Sequence, residues 1–169
     1  MIVLMAGLPG TGKTTLARAL AEQLDGRVIS KDEVRHALFH AGEIEYSTAQ
    51  DDFCLELMLD LAGWLLRADR GRTIFLDGRP FSRGYQIENV LRRAASLHQP
   101  WKILECVCEE STARKRLEEA SGHPAANRDA ELFERVRDGF ETILHPKTIV
   151  NTDLPLDPCV QAGLKALRV

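Results

Sequence analysis

Residues 1–20 read MIVLMAGLPGTGKTTLARAL and carry the strongest structural signal in the chain. The run from Ile2 to Ala6 is wholly apolar and ends at a glycine, which is typical of a strand buried on both faces. Apolar residues then recur at helical spacing from Leu16 to Leu24. Between these segments, Gly7 to Thr14 match the phosphate-binding pattern G-x-x-x-x-G-K-[ST] at every fixed position. The pattern requires a preceding strand and a following helix, and the sequence predicts both.

Each part of this pattern has a mechanical role in holding a nucleoside triphosphate. Its glycines bring backbone N–H groups close to phosphate oxygens, and the following helix adds its positive dipole end. Lys13 can reach the β- and γ-phosphates, and the Thr14 hydroxyl can bind Mg²⁺. The residues expected to contact the nucleotide are Gly7, Leu8, Pro9, Gly10, Thr11, Gly12, Lys13, Thr14 and Thr15.

The rest of the chain alternates short apolar runs with amphipathic stretches. Further strands are predicted at RVIS (27–30), RTIFLD (72–77), WKILECVC (101–108) and KTIVNT (147–152). Helices are predicted over about 13–24, 31–40, 48–69, around 87–94, from 111 to the SGHP break, over 129–143, and from 158 onward. This alternation predicts an α/β fold with a mainly parallel, doubly wound sheet and one domain over residues 1–169. The polar segment around 121–129 predicts a short lid within about 111–130.

An acidic residue follows the second predicted strand, where ligands of open α/β sheets bind. There, Asp32 could act as the general base that accepts the proton of a hydroxyl attacking the γ-phosphate. Arg35 lies one helical turn further on and can face the same space. The alternative is structural: Asp32 complements a helix N-terminus, and Arg35 is a solvated charge.

The third predicted strand ends at Asp77, an arrangement that holds Mg²⁺ directly or through water, unless the aspartate only caps the next turn. Arg79 and Arg83 follow on the loop and, together with Arg35, could bind an anionic group of the acceptor. Tyr46 could stack on an acceptor ring or could be a surface tyrosine.

Arginines also flank or occupy the predicted lid. An arginine brought in from a lid can stabilise the charge that develops between donor and acceptor. Arg128, in the polar break, and Arg116 are the candidates for this catalytic role. The alternative is that both are solvated charges on amphipathic helices.

The composition limits the classes of function. The chain has 169 residues, 44% of them hydrophobic and 28% charged, with a formal net charge of −3. A general polyanion binder usually carries a basic surplus, so this balance argues against one. No apolar run approaches the length of a membrane span, so we expect a cytoplasmic protein. The four cysteines do not have the spacing of a zinc site.

Four segments together resemble a known family: GLPGTGKTTLARAL, ISKDEVR, IFLDGRPFSR and HPAANRDAELFERV. They are similar to the small P-loop kinases of the AAA-type ATP-binding group, related to polynucleotide kinase, chloramphenicol phosphotransferase, zeta toxin and adenylylsulfate kinase domains. The resemblance implies a three-layer P-loop NTPase fold with strand order 2-3-1-4-5 and a short helical lid. It also implies ATP with Mg²⁺ as donor, a hydroxyl as acceptor, Asp32 as base and Arg35 as an acceptor contact.

Three functions fit these residues. The first is a kinase that transfers the γ-phosphate of ATP to a hydroxyl of a small molecule. The second is a polynucleotide 5′-hydroxyl kinase, which shares the chemistry but needs a basic groove with stacking aromatics. The third is a regulatory or toxin-like P-loop NTPase. Both acids following strands favour the first function, and the acidic net charge weighs against nucleic acid as the partner. The sequence carries no signal for the oligomeric state.

Overall fold

A computed structural model describes residues 1–119 and 130–168 of the chain. Its strands are β1 (Ile2–Ala6), β2 (Arg27–Ser30), β3 (Ile74–Asp77), β4 (Trp101–Val107) and β5 (Thr148–Asn151). They form one parallel sheet in the order β2-β3-β1-β4-β5. The predicted fold class and strand order are therefore confirmed.

Helices connect the strands and cover both faces of the sheet. They are α1 (Lys13–Gln23), α2 (Lys31–Leu38), α3 (Thr48–Ala68), α4 (Gly84–Ser96), α5 (Glu110–Glu119), α6 (Ala130–Asp138) and α7 (Leu156–Leu167). In the part of the chain that the structure describes, no helix combines the length and the apolar character that crossing a membrane requires.

The core consists of two layers separated by the sheet. Side chains of a strand alternate between its faces, so Ile2 and Leu4 of β1 pack toward α3 and α4. Val3 and Met5 pack toward α1 and α7 on the other face. Because β1 is buried on both faces, its sequence is apolar without interruption.

The main departure from the predicted elements is at α6. The sequence predicts a helix over 129–143, but α6 ends at Asp138. Gly139 follows, and glycine is a weak helix former. Beyond it, Phe140 and Ile143 pack against the core between the sheet and α3 and α4. Burial of these two apolar side chains in the main core takes precedence over continuing the helix.

A smaller apolar cluster joins α5 and α6 to the phosphate-binding loop. Ala113 and Leu117 of α5 meet Phe133 of α6, and Leu8 of the loop packs against them. Half of the segment predicted to contain a lid, residues 120–129, lies outside the described residues. The lid therefore stays a prediction.

The central strand offers a test of this packing. Leu4→Ala removes a fully buried side chain and is expected to lower the free energy of unfolding by about 2–5 kcal/mol. Leu144→Ala is the matched control, because Leu144 is 89% exposed and its truncation should change stability by less than about 0.5 kcal/mol. Urea denaturation followed by circular dichroism measures both. Equal effects of the two substitutions would contradict the placement of β1 at the centre of the core.

Candidate active site

The strand order brings three chemically distinct segments to one edge of the sheet. β3 lies between β1 and β2, so the carboxyl ends of these three strands are neighbours. The phosphate-binding loop (Gly7–Thr14) follows β1, Lys31 and Asp32 follow β2, and Asp77 ends β3. This is the edge at which open α/β sheets bind ligands.

Neighbouring backbone lies so close to the loop that two of its positions can be occupied only by glycine. Gly7 has φ +129°, and a Cβ there would lie 2.3 Å from the carbonyl oxygen of Cys106. Gly10 has φ +77°, and a Cβ there would lie 2.4 Å from the carbonyl oxygen of Ala113 in α5. Neither position can accept a side chain without moving backbone.

Inside the loop, polar side chains turn back onto the carbonyl of Leu8. The Lys13 Nζ donates to this oxygen at 2.6 Å, and the Thr11 hydroxyl donates to it at 2.7 Å. Helix α1 begins at Lys13 with no side-chain cap and no acidic residue in its first turn. Its N-terminal N–H groups and positive dipole end therefore face the loop without a carboxylate of their own helix.

Thr14 and Asp77 meet between the loop and β3. The Thr14 hydroxyl donates to Asp77 Oδ2 at 2.7 Å, and Asp77 Oδ1 is buried with no hydrogen-bond partner. Among residues 1–119 and 130–168, no three His, Cys, Asp or Glu side chains gather as a metal site. A hydroxyl beside an unsatisfied carboxylate oxygen instead fits Mg²⁺, which uses one or two protein ligands with water and phosphate oxygens.

Asp32 lies at the same edge, next to the end of β3. Ser30 and Asp77 are register partners, and Gly78 packs against the start of α2, where its Cβ would lie 3.3 Å from the backbone nitrogen of Asp32. The side chain of Asp32 is only 5% exposed. Arg35 Nη1 donates to Asp32 Oδ1 at 3.2 Å, so the two residues predicted to face the same space are in contact.

A second carboxylate, Asp51 in the first turn of α3, completes this cluster. It accepts a hydrogen bond from Lys31 Nζ at 2.8 Å and another from Arg35 Nη2. Lys31 Nζ is also 3.9 Å from Asp32 Oδ1. Burial lowers the pKa of Lys31, and the adjacent Asp51 and Asp32 oppose this shift.

Arg79 is paired in the same way with the next residue of α3. Its Nη2 donates to Asp52 Oδ1, and the Tyr85 hydroxyl donates to Asp52 Oδ2 at 3.2 Å. Arg79 is 1% exposed, and its Nε and Nη1 atoms are buried without a hydrogen-bond partner.

Arg83 points elsewhere, to the loop that follows α6. Its Nη1 donates to Glu141 Oε1 at 3.1 Å, and the Gly84 backbone N–H donates to Glu141 Oε2 at 2.7 Å. These two contacts lower the pKa of the Glu141 carboxyl. The structure therefore pairs Arg35, Arg79 and Arg83 with separate carboxylates and does not gather them into one open anion pocket.

Tyr46 lies against the same cluster of charges. Its ring lies under the guanidinium group of Arg35, with the Arg35 Cζ atom 5.0 Å from the ring centroid. One face of the ring thus contacts a cation of the protein, and stacking of Tyr46 on an acceptor stays a prediction.

Arg116 of α5 lies against the loop after β5. Its Nη2 donates to the carbonyl oxygen of Thr152 at 2.7 Å, and Nη1 donates to the Thr152 hydroxyl at 3.3 Å. That hydroxyl donates to the Thr11 carbonyl oxygen at 3.0 Å. Arg116 is therefore beside the phosphate-binding loop, whereas Arg128 lies outside the described residues.

Sequence reasoning missed the carboxylates that pair with the predicted arginines, namely Asp51, Asp52 and Glu141. Asp51 and Asp52 lie near the start of a helix capped by Ser47, where acidic residues are common and need no functional explanation. The sequence feature that could have pointed to them is the pair of adjacent carboxylates at the start of a long helix. Glu141 was hidden because it was assigned to a helix that ends three residues earlier.

Solved structures with the same fold cover nearly the whole chain. A candidate kinase from Chloroflexus aurantiacus superposes with a TM-score of 0.75 at 20% identity, over 99% of this chain and 98% of that one. The APS kinase CysC of Mycobacterium tuberculosis, in complex with AMPPNP and APS, gives 0.73 at 18% identity, over 98% and 96%. A gluconokinase from Sinorhizobium meliloti gives 0.68 at 17% identity, over 98% and 90%. At these identities the likeness establishes the fold.

Curated relatives match a shorter segment. Uncharacterized proteins of Mycobacterium bovis and Mycobacterium tuberculosis are 51% identical to the chain over 43 residues, which make up 25% of this chain and 9% of each relative. The match thus spans less than a tenth of the length of those relatives. A family model described as AAA domain matches residues 2–157, nearly the whole chain. The chain therefore belongs to this AAA domain family, and its fold is that of the small P-loop kinases.

Proposed function

We propose that the protein is an ATP-dependent kinase that transfers the γ-phosphate to a hydroxyl group of a small molecule, with Asp32 as the general base. The observation that carries this proposal is the pair of acids at adjacent strand ends. Asp77 meets the Thr14 hydroxyl on the donor side, and Asp32 follows the neighbouring strand. One acid is thus available for the metal and a separate one for the acceptor proton.

On the donor side, the loop and α1 supply N–H groups for the phosphates, and Lys13 supplies a mobile positive charge. Lys13 exchanges its bond to the Leu8 carbonyl for phosphate oxygens. Thr14 and Asp77 would hold Mg²⁺, which when bound neutralises charge on the phosphate oxygens. These residues position the γ-phosphate without forming a covalent bond to it.

On the acceptor side, Asp32 accepts the proton of the attacking hydroxyl while Arg35 holds one of its oxygens in place. The contacts of Lys31 and Arg35 with Asp51 keep both cations beside that carboxylate. Arg116 and Arg128 are the candidates for the arginine that stabilises charge on the transferred group.

The names of the similar structures support this reaction class, since two of them are called kinases of APS and of gluconate and a third a candidate kinase. Water as the acceptor would instead require a residue that orients an attacking water. The acid after β2 favours a hydroxyl acceptor, since a carboxylate there matches the base of a kinase.

Asp32→Asn tests the base. We expect the turnover stimulated by an acceptor to fall by about 10²–10⁴-fold while ATP affinity changes only a few fold, because the amide keeps the shape but cannot take the proton. The measurement is ADP release with and without a pool of nucleosides, sugars, antibiotics and 5′-hydroxyl oligonucleotides. ATP affinity is measured by titration calorimetry.

Two variants serve as controls for this experiment. Asp60→Asn removes a carboxylate that pairs with Arg93 on the outer side of α3, and it should leave turnover unchanged. Lys13→Ala should weaken ATP binding itself. Full turnover in Asp32→Asn would rule out the base, and phosphate release to water that no acceptor stimulates would rule out the kinase.

Asp77→Asn tests the metal ligand. We expect the Mg²⁺ concentration for half-maximal turnover to rise about 10–100-fold, because the amide removes the negative charge beside Thr14. Magnesium titrations at saturating ATP measure this shift. An unchanged magnesium requirement would mean that Asp77 only anchors Thr14.

A further inference from the structure

Three positive side chains in the described segments that follow β2 and β3 are paired with carboxylates of the chain. Lys31 and Arg35 both bond to Asp51, and Arg79 bonds to Asp52. Asp51 and Asp52 are adjacent residues near the start of α3, so one short segment supplies both counter-charges.

The arginine side chains of these pairs are much less exposed to solvent than the aspartate side chains. The side chains of Arg35 and Arg79 are each 1% exposed, whereas those of Asp51 and Asp52 are 23% and 42% exposed. A molecule that approaches this region therefore meets the carboxylates before it meets the guanidinium groups.

The helix ends on this side are also satisfied from within the chain. The Ser30 hydroxyl caps α2 by accepting from the Glu33 N–H, and the Ser47 hydroxyl caps α3 by accepting from the Gln50 N–H. At the start of α4, Glu141 accepts from the Gly84 N–H. Helix α1 at the phosphate-binding loop has no such cap. The N-terminal N–H groups on the donor side therefore lack the side-chain acceptors that are present at α2, α3 and α4.

We propose that Asp51 and Asp52 are specificity-determining residues that select an acceptor without a phosphate, sulfate or carboxylate group on the part that enters the site. This inference rests on the proposed function, since it concerns the acceptor of that transfer. The fitting class is a neutral or cationic polyhydroxyl compound, whose hydroxyl or ammonium groups can donate hydrogen bonds to the two carboxylates.

The physical reason is the cost of placing like charges next to each other. An anion entering beside Asp51 and Asp52 must either displace them from buried cations or remain next to them uncompensated, and both options are unfavourable. A neutral hydroxyl compound leaves the pairs intact. Selection then arises from repulsion of the wrong acceptor as much as from attraction of the right one.

Matched acceptors provide the first test. The pairs are glucose with glucose 6-phosphate and ribose with ribose 5-phosphate, with glucosamine as a cationic member and 5′-hydroxyl oligonucleotides as a polyanion. We expect neutral or cationic members to stimulate ADP release with kcat/KM at least about tenfold above that of their anionic counterparts. A better anionic member would overturn the inference and leave the kinase standing. Phosphate release to water alone would instead overturn the proposed function.

A binding measurement decides the inference independently of turnover. The nucleotide site is first filled with AMPPNP and Mg²⁺ so that the phosphate-binding loop is occupied, and the melting temperature is compared in sulfate and in chloride at equal ionic strength. The wild-type protein should show no stabilisation specific to sulfate. Asp52→Asn should gain it, because the substitution frees Arg79 from its carboxylate.

Asp60→Asn is the matched control, since it breaks an Asp–Arg pair of the same helix away from this cluster and should behave as wild type. Sulfate stabilisation of the wild-type protein equal to that of Asp52→Asn would overturn the inference, as would a folded Asp52→Asn variant that gains none. The wild-type comparison stands even where the variant fails to fold.

Discussion

The hydrogen bond between Thr14 and Asp77 sets the geometry on which the rest of the site depends. It joins the start of α1 to the end of β3 across 63 residues of sequence. Because β3 lies between β1 and β2, this bond fixes the phosphate-binding loop at a constant offset from the residues that follow β2. The sheet order therefore places Asp32 at the same edge of the sheet as the phosphate-binding loop, and its contact with Arg35 holds its side chain.

A second constraint is the burial of Arg35 and Arg79 in the segments that follow β2 and β3. A buried guanidinium group needs a counter-charge, and leaving it unpaired is strongly destabilising. Either a ligand or the chain can supply that charge. Here Asp51 and Asp52 supply it, so the folded protein does not depend on an anion to satisfy this region. The Lys31, Arg35 and Asp51 cluster also connects α3 to the proposed site, although α3 carries no recognised motif.

The features that could be predicted are those that short-range sequence patterns determine. The β1 strand, the glycine loop and α1 follow from short-range periodicity and backbone requirements, and Asp32 and Asp77 follow from their positions after strands. The pairing of Arg79 with Asp52 joins residues 27 apart on different elements, and no periodicity records it. The early end of α6 was hidden for the same reason, since it depends on burial of Ile143 in a distant core.

Arg116 illustrates how position limits a role inferred from residue type. Both of its terminal nitrogens bond to Thr152, whose hydroxyl bonds in turn to Thr11 of the phosphate-binding loop. A direct contact with the transferred phosphate would require these bonds to break. Gly10 packs against α5 at the Ala113 carbonyl, so α5 is fixed to the loop at two points. In the structure, Arg116 links α5 to the loop after β5 and, through Thr152, to the phosphate-binding loop, and its catalytic role stays a prediction.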